Sequence, residues 1–294
     1  MKLKTRCIVC QVEVRYRDVI KLFSTEELRY RYMMEVINLL YRYAKDNKDP
    51  APVVATKIFR FLKQESGNPD PYREEKLKAN EEGLKILNEL SKVIEDKSIE
   101  EKLYISVRAS LLGNSLDFGV AGYRPPSLSE LINEIYSITV KGDFPKIRKK
   151  RIVYLLDNAG EAALDRLLAR TLRELDNEVI AVVKGGAFQN DVTINEVEQL
   201  GLRQDFDDVV STGTDAASIF LDEVSKEVLE ILRSCDLIIA KGMAHFEYLT
   251  EIEHTLSKPI VYMMKAKCQP IAEEAHVEVG DYVILTRGKV TSEL

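Results

Sequence analysis

The sequence predicts an α/β protein in which a Rossmann-like, mainly parallel sheet domain follows an all-α N-terminal helical domain. Three observations carry that prediction. Helical periodicity fills the chain to about Tyr136. Short β-branched runs separated by amphipathic stretches fill it after Gly142-Asp143-Phe144-Pro145. Two of those runs open onto turns that carry Asp157-Asn158 and Asn190-Asp191. Alternating strands and helices build a parallel sheet with helices on both faces. The expected boundary is therefore near residue 145, with residues 1–145 helical and 146–294 forming the sheet domain.

In the first half, Leu28, Tyr32, Val36, Leu39, Leu40 and Tyr43 recur every three or four residues and place one apolar stripe on a helix. Similar stripes run through Val54, Ile58, Phe61 and Leu62, and through Leu77, Leu84, Leu87, Leu90 and Ile94. Ser24 with Glu27, Ser98 with Glu101 and Ser127 with Glu130 have the spacing of capping boxes, which satisfy unpaired amides of a first helical turn. In the second half the expected strands are residues 152–156, 179–183, 208–210, 237–240, 260–264 and 282–285. Helical stripes cover 163–175 and 219–232 between them.

Composition narrows the function. At 294 residues the chain can bury a substantial core. Its formal net charge of -6 argues against a general nucleic-acid binder, which needs a clustered basic surface. The one dense basic run, 146–151, reads first as a solvated linker. No stretch has the ~18 apolar residues of a membrane span, and the start Met1-Lys2-Leu3-Lys4-Thr5-Arg6 lacks a signal peptide's apolar block. With four cysteines, too few for a secreted disulfide framework, a soluble cytoplasmic protein is expected.

The strand ends carry the chemistry. A buried parallel strand that opens onto a carboxylate, an amide and a glycine turn is where an open α/β sheet usually places its site. Asp157 and Asn158 follow one such strand, and Asp191 follows the next about 30 residues later, the spacing of one strand-helix-strand unit. Two carboxylates and an amide form an all-oxygen set suited to a hard divalent cation. Asp-Asn at a strand end also serves as a turn or helix cap, and the duplication favours a site. A helix starting near Gly160 would add backbone amides for an anion.

Further strand ends supply Lys241-Gly242 and Lys265-Ala266-Lys267-Cys268. Lys241, Lys265 and Lys267 are candidates to hold a phosphate by point charge, and Gly242 allows close approach to the backbone. Lysines at strand ends are also common surface charge. Asn114 and Asp117, in the polar interruption after Gly113, read equally as substrate contacts or as a helix C-cap. Asn190 is grouped with the substrate contacts. His245 is the one histidine in a candidate catalytic loop. Cys7-Ile8-Val9-Cys10 has neither a second CxxC nor a thioredoxin-like setting, and Cys268 would make a third thiol.

These pieces, in this order, resemble the damage-control phosphatase family. The matching segments are the early CxxC, Gly67-Asn68-Pro69-Asp70-Pro71-Tyr72, Gly113-Asn114 with Asp117, and Leu156-Asp157-Asn158-Ala159-Gly160-Glu161. Asn190-Asp191-Val192-Thr193, Lys241-Gly242 and Lys265-Ala266-Lys267-Cys268 complete them. The CxxC with a late Lys-Cys resembles the mainly prokaryotic branch.

The resemblance implies hydrolysis of small phosphorylated metabolites, with Mn²⁺, Co²⁺, Ni²⁺ or Mg²⁺ as cofactor. It also implies Asp157, Asn158 and Asp191 as metal ligands, Lys241 and Gly242 in a substrate loop, and Lys265 on phosphate with Lys267 competing; on that reading Asp157 or Asp191 is expected to be catalytic by orienting the attacking water. The family pattern often has Asn near the position of His245, a departure in this chain. Two rival functions stand beside this one. Group transfer with a nucleotide or adenosylmethionine is weakened by the missing GxGxxG and P-loop, and a thiol sensor would rest on Cys7, Cys10 and Cys268.

Overall fold

The computed structural model describes residues 1–113 and 128–290. Its centre is a seven-stranded sheet in the order β1-β7-β6-β5-β2-β3-β4. The strands are β1 (Val140–Lys141), β2 (Arg151–Leu155), β3 (Glu178–Val183), β4 (Asp208–Ser211), β5 (Leu237–Lys241), β6 (Ile260–Lys265) and β7 (Tyr282–Arg287). All neighbours pair in parallel except β6 and β7, which run antiparallel. The six strands expected from the sequence are present, and short β1 is an addition.

Buried β-branched runs suit this position because side chains on both faces meet helices. In β2, Ile152 and Tyr154 enter one apolar cluster while Val153 and Leu155 enter the other. The first cluster is covered by α4 (Arg73–Ile94), α5 (Ile99–Gly113), α6 (Leu128–Ser137) and α7 (Glu161–Glu174). The second is covered by α1 (Thr5–Leu22), α2 (Glu26–Ala44), α3 (Ala51–Ser66), α9 (Lys226–Ser234), α10 (Gly242–Leu256) and α11 (Gln269–Ala275). One turn of helix, α8 (Val197–Leu200), follows the Asp191 loop. Each cluster therefore draws on both halves of the chain. The change of texture near residue 145 is real, but the helices before it serve as layers of the sheet after it.

Several local expectations are corrected. The first turn of α2 is capped by Thr25, whose side chain accepts from the Leu28 amide, so the cap sits one residue past Ser24. Ser98 does accept from the Glu101 amide. Ser127 lies outside the described residues. The stripe at 219–232 becomes helix only from Lys226, because Ser225 caps α9 there. Ile219 and Phe220 are buried outside any helix, and the Leu221 amide donates to the Tyr248 hydroxyl. Their apolar spacing reflects burial in a loop, a case in which tertiary contacts override helical periodicity. Among the described residues no helix is long and apolar enough to cross a membrane.

Candidate active site

The chain winds outward from β2 in both directions, through β3 to β4 and through β5 to β6. An open sheet leaves a crevice at such a switch point, beyond the carboxyl ends of its strands. Asp157 and Asn158 sit just past β2, and Asn190 and Asp191 are brought there by backbone pairing. The Ala159 amide donates to the Asn190 carbonyl at 2.9 Å, and the Val192 amide donates to the Asp157 carbonyl at 2.9 Å. Asn158 and Asp191 form an antiparallel bridge. Residues 31 to 35 positions apart are thus locked side by side by main chain, which side-chain substitutions leave intact.

Both carboxylates are buried, and both have pKa values raised first by loss of water. The charge of Asp191 adds to the rise at Asp157, while Asp191 itself is pushed up to about 6. Two acids held uncharged-leaning in a dry crevice are poorly compensated by the protein alone. Lys184, at the end of β3, is the nearest cation: its Nζ is 3.6 Å from Asp191 Oδ2 and donates to the Ala217 carbonyl at 2.7 Å. At 3.6 Å the pair is ionic rather than hydrogen-bonded, and Asp191 Oδ2 remains buried without a hydrogen bond.

The Asn158 amide has a determined orientation. Its Nδ2 donates to Asp157 Oδ2 at 2.8 Å and Glu161 Oε2 at 3.1 Å, two atoms suited to accepting. The Oδ1 atom is therefore turned away from both and left as an acceptor. An unbonded carboxylate oxygen, a second buried carboxylate and an oriented amide oxygen fit a hard divalent cation. Among the described residues no three His, Cys, Asp or Glu side chains gather as a metal-binding group, so the fit rests on two acids with the amide.

Gly242 explains how Asp157 is accommodated. Its φ is +74°, and a Cβ there would lie 1.9 Å from Asp157 Oδ2, so a side chain is excluded by conformation and by space. Its role is room for the carboxylate at the start of α10, whose free amides favour a negative charge.

Lys241, expected on substrate, points inward and is fully buried. It is 2.7 Å from both Glu161 Oε1 and Asp165 Oδ1, and 2.8 Å from the carbonyl and hydroxyl of Ser110. Burial lowers its pKa, but Asp165 and Glu161 outweigh that and raise it overall. Through Glu161 it fixes the Asn158 amide, which makes it a positioning residue for the site.

Lys265 lies over the Tyr282 ring at 4.8 Å. Exposed Lys267 is the lysine of that pair whose charge lowers the Asp157 pKa, after the larger effect of Lys184. Asn190 is exposed beside the cluster. Asn114 and Asp117 lie outside the described residues. His245 is buried, with Nδ1 2.9 Å from Ser218 Oγ and Nε2 3.3 Å from the Leu156 carbonyl. That carbonyl can only accept, so Nε2 carries the proton, and burial with nearby Lys184 holds the ring neutral. It buttresses the backbone one residue before Asp157.

Sequence reasoning missed the braces in the helical half. Fully buried Lys76 pairs with Asp70 at 2.8 Å and Glu196 at 2.9 Å, and Glu196 caps the turn begun by Thr193, two residues past Asp191. Asn80 accepts from the Gly160 amide at 2.8 Å. Buried Asp18 accepts from Tyr72 and from Gln189, tying α1 and the segment before α4 to the Asp191 loop. Asp70 and Tyr72 belong to the 67–72 motif, and Lys184 directly follows the expected strand 179–183. Nothing in their spacing showed what they would touch.

The four cysteines are free, with Cys7 buried and Cys10 exposed on α1, Cys268 at the start of α11, and Cys235 buried. Burial pushes every one of these thiols up, which disfavours the thiolate needed for redox or metal chemistry.

Fold and crevice together define an α/β protein with a paired-carboxylate site at its switch point. The chain belongs to the family described as the damage-control phosphatase ARMT1-like domain, whose model matches residues 3–283. Membership makes a phosphatase the activity at its coarsest. An uncharacterized protein of Methanocaldococcus jannaschii is 34% identical over 98% of this chain and 96% of its own length. Damage-control phosphatase PH1575 of Pyrococcus horikoshii is 32% identical, covering 97% of this chain and 98% of the relative. A damage-control phosphatase of Archaeoglobus fulgidus is 30% identical over 96% and 98%. The crystal structure of a DUF89 family protein from P. horikoshii superposes with a TM-score of 0.82 at 29% identity, covering 97% of this chain and 99% of that one.

Proposed function

We propose that the chain is a divalent-cation-dependent phosphomonoesterase acting on small phosphorylated metabolites, such as sugar phosphates. The observation that carries this reading is the backbone-locked approach of Asp157 and Asp191 around an oriented Asn158 amide. Asp157, Asn158 and Asp191 would hold Mn²⁺, Co²⁺, Ni²⁺ or Mg²⁺. When bound, such an ion offsets the paired negative charge and polarises a phosphoryl oxygen.

The chain's own groups supply the remainder. Exposed Lys267 at the β6 end attracts the phosphate, in preference to Lys265 on its aromatic ring. Asn190 meets the organic moiety. A carboxylate of the pair orients water for attack on phosphorus; the ester P–O bond breaks, and the alcohol departs with a proton. A phosphoaspartyl route on Asp157 is disfavoured because Ala159 stands where aspartyl phosphatases of the haloacid type place a second Asp.

The test is Asp157→Asn and Asp191→Asn, assayed with a panel of sugar phosphates and each cation. Expected is loss of metal-stimulated phosphate release by on the order of 10²–10³-fold, with loss of calorimetric cation binding. Undiminished turnover in either variant refutes the assignment.

A further inference from the structure

Large apolar side chains left on the surface are concentrated in one place. Of thirteen that are exposed among the described residues, nine lie on α1 and α2. On α1, Tyr16 and Ile20 stand one turn apart. On α2, Tyr30, Met34, Ile37 and Tyr41 recur at four-, three- and four-residue intervals and form one stripe. Their opposite faces bury Val19, Val36 and Leu40. The stripe is therefore a second apolar face, unneeded by the core. Tyr30 and Tyr41 are 68% and 69% exposed, high for residues whose rings gain from burial.

We propose that this face joins two copies of the chain about a two-fold axis. Only three residues separate α1 from α2, which pack against one another, so their stripes lie on one rigid unit. The six side chains of the two stripes are roughly half exposed, three of them tyrosines, and together with the polar residues that rim them the face can cover on the order of 800 Å². That matches one partner's share of a standard stable interface, about 800 Å². Tyr and Met are the residue types enriched in interface cores. The exposed charges around the stripe are mixed, with Glu13 and Glu35 beside Arg17 and Arg31. A two-fold contact brings each patch against itself, so a rim of both signs can be self-complementary. An acidic partner or an anionic membrane would instead favour a rim of one sign.

Sedimentation velocity on the full chain at micromolar concentration tests this. Expected is a dimer of twice the 33.5 kDa chain mass. The Tyr30→Glu, Tyr41→Glu double variant should be monomeric, with unchanged far-UV circular dichroism and unchanged phosphate release, since neither residue touches the site. Met34→Asp provides the decisive disruption should the double variant fail to fold. A wild-type chain that stays monomeric up to about 100 μM, far above the Kd of a specific dimer, overturns the inference. So does a dimer that persists in a folded variant, or a monomer whose stripe binds anionic vesicles. None of these outcomes depends on the reaction catalysed.

Discussion

At the scale of single residues, the site is governed by which atoms already have partners. The Asn158 amide gives its hydrogens to Asp157 and Glu161, while Asp191 Oδ2 has no hydrogen bond. The pKa of Asp191, near 6 against 3.8 for an ordinary Asp, has consequences of definite sign. Folding favours the protonated acid, so its contribution to the stability of cation-free protein is present below about 4 and is lost as pH rises through about 6. A cation acts oppositely because it binds the ionised acid. Affinity for Mn²⁺ should thus decline below pH 6, by up to about tenfold per pH unit for one competing proton. Calorimetry between pH 5 and 7.5 checks this. Cation-free Asp191→Asn should lose less thermal stability than wild type as pH rises from 4.5 to 6.5; equal losses would contradict the assignment.

At the scale of elements, buried charges fasten helices to strand ends. Lys241 joins β5 to α5 through Ser110 and to α7 through Glu161 and Asp165. Removing one member of such a network strands the others in a dry interior. Lys241→Met should therefore cost about 3–5 kcal/mol in urea denaturation and weaken cation binding through the released Glu161. A cost below about 1 kcal/mol, the scale of an exposed pair, would show the network to be dispensable. Lys76 joins α4 to the Asp191 loop in the same way. Strand ends marked the candidate lysines in sequence, but inward or outward direction depends on what packs below. Lys241 therefore became a brace rather than a phosphate contact.

At the scale of the whole molecule, the helical half does not form a separate body. Leu87, Leu90 and Leu112 share one cluster with Ile152 and Ile239, while Val36, Val54 and Ile58 share the other with Val153 and Ile238. Separating the chain at residue 145 would expose both faces of the sheet, apart from the part covered by its own helices. Residues 1–145 and 146–294 expressed apart should lack cooperative unfolding and near-UV circular dichroism, and co-expression should restore both. Independent cooperative folding of either piece would show the layers to be separable.

The sequence by itself determined the strands, most helices and the acid-amide-acid cluster. Alternating burial and strand-end polarity are local properties, written into consecutive residues such as 152–158. Tertiary structure alone decided that Lys184 meets Asp191, that Lys76 and Asp18 brace its loop, and that Lys241 turns inward. All but the first of those contacts join residues far apart in the chain, and a long charged side chain has no periodicity to reveal its partner even seven residues away. Its direction follows from the helices packed around it.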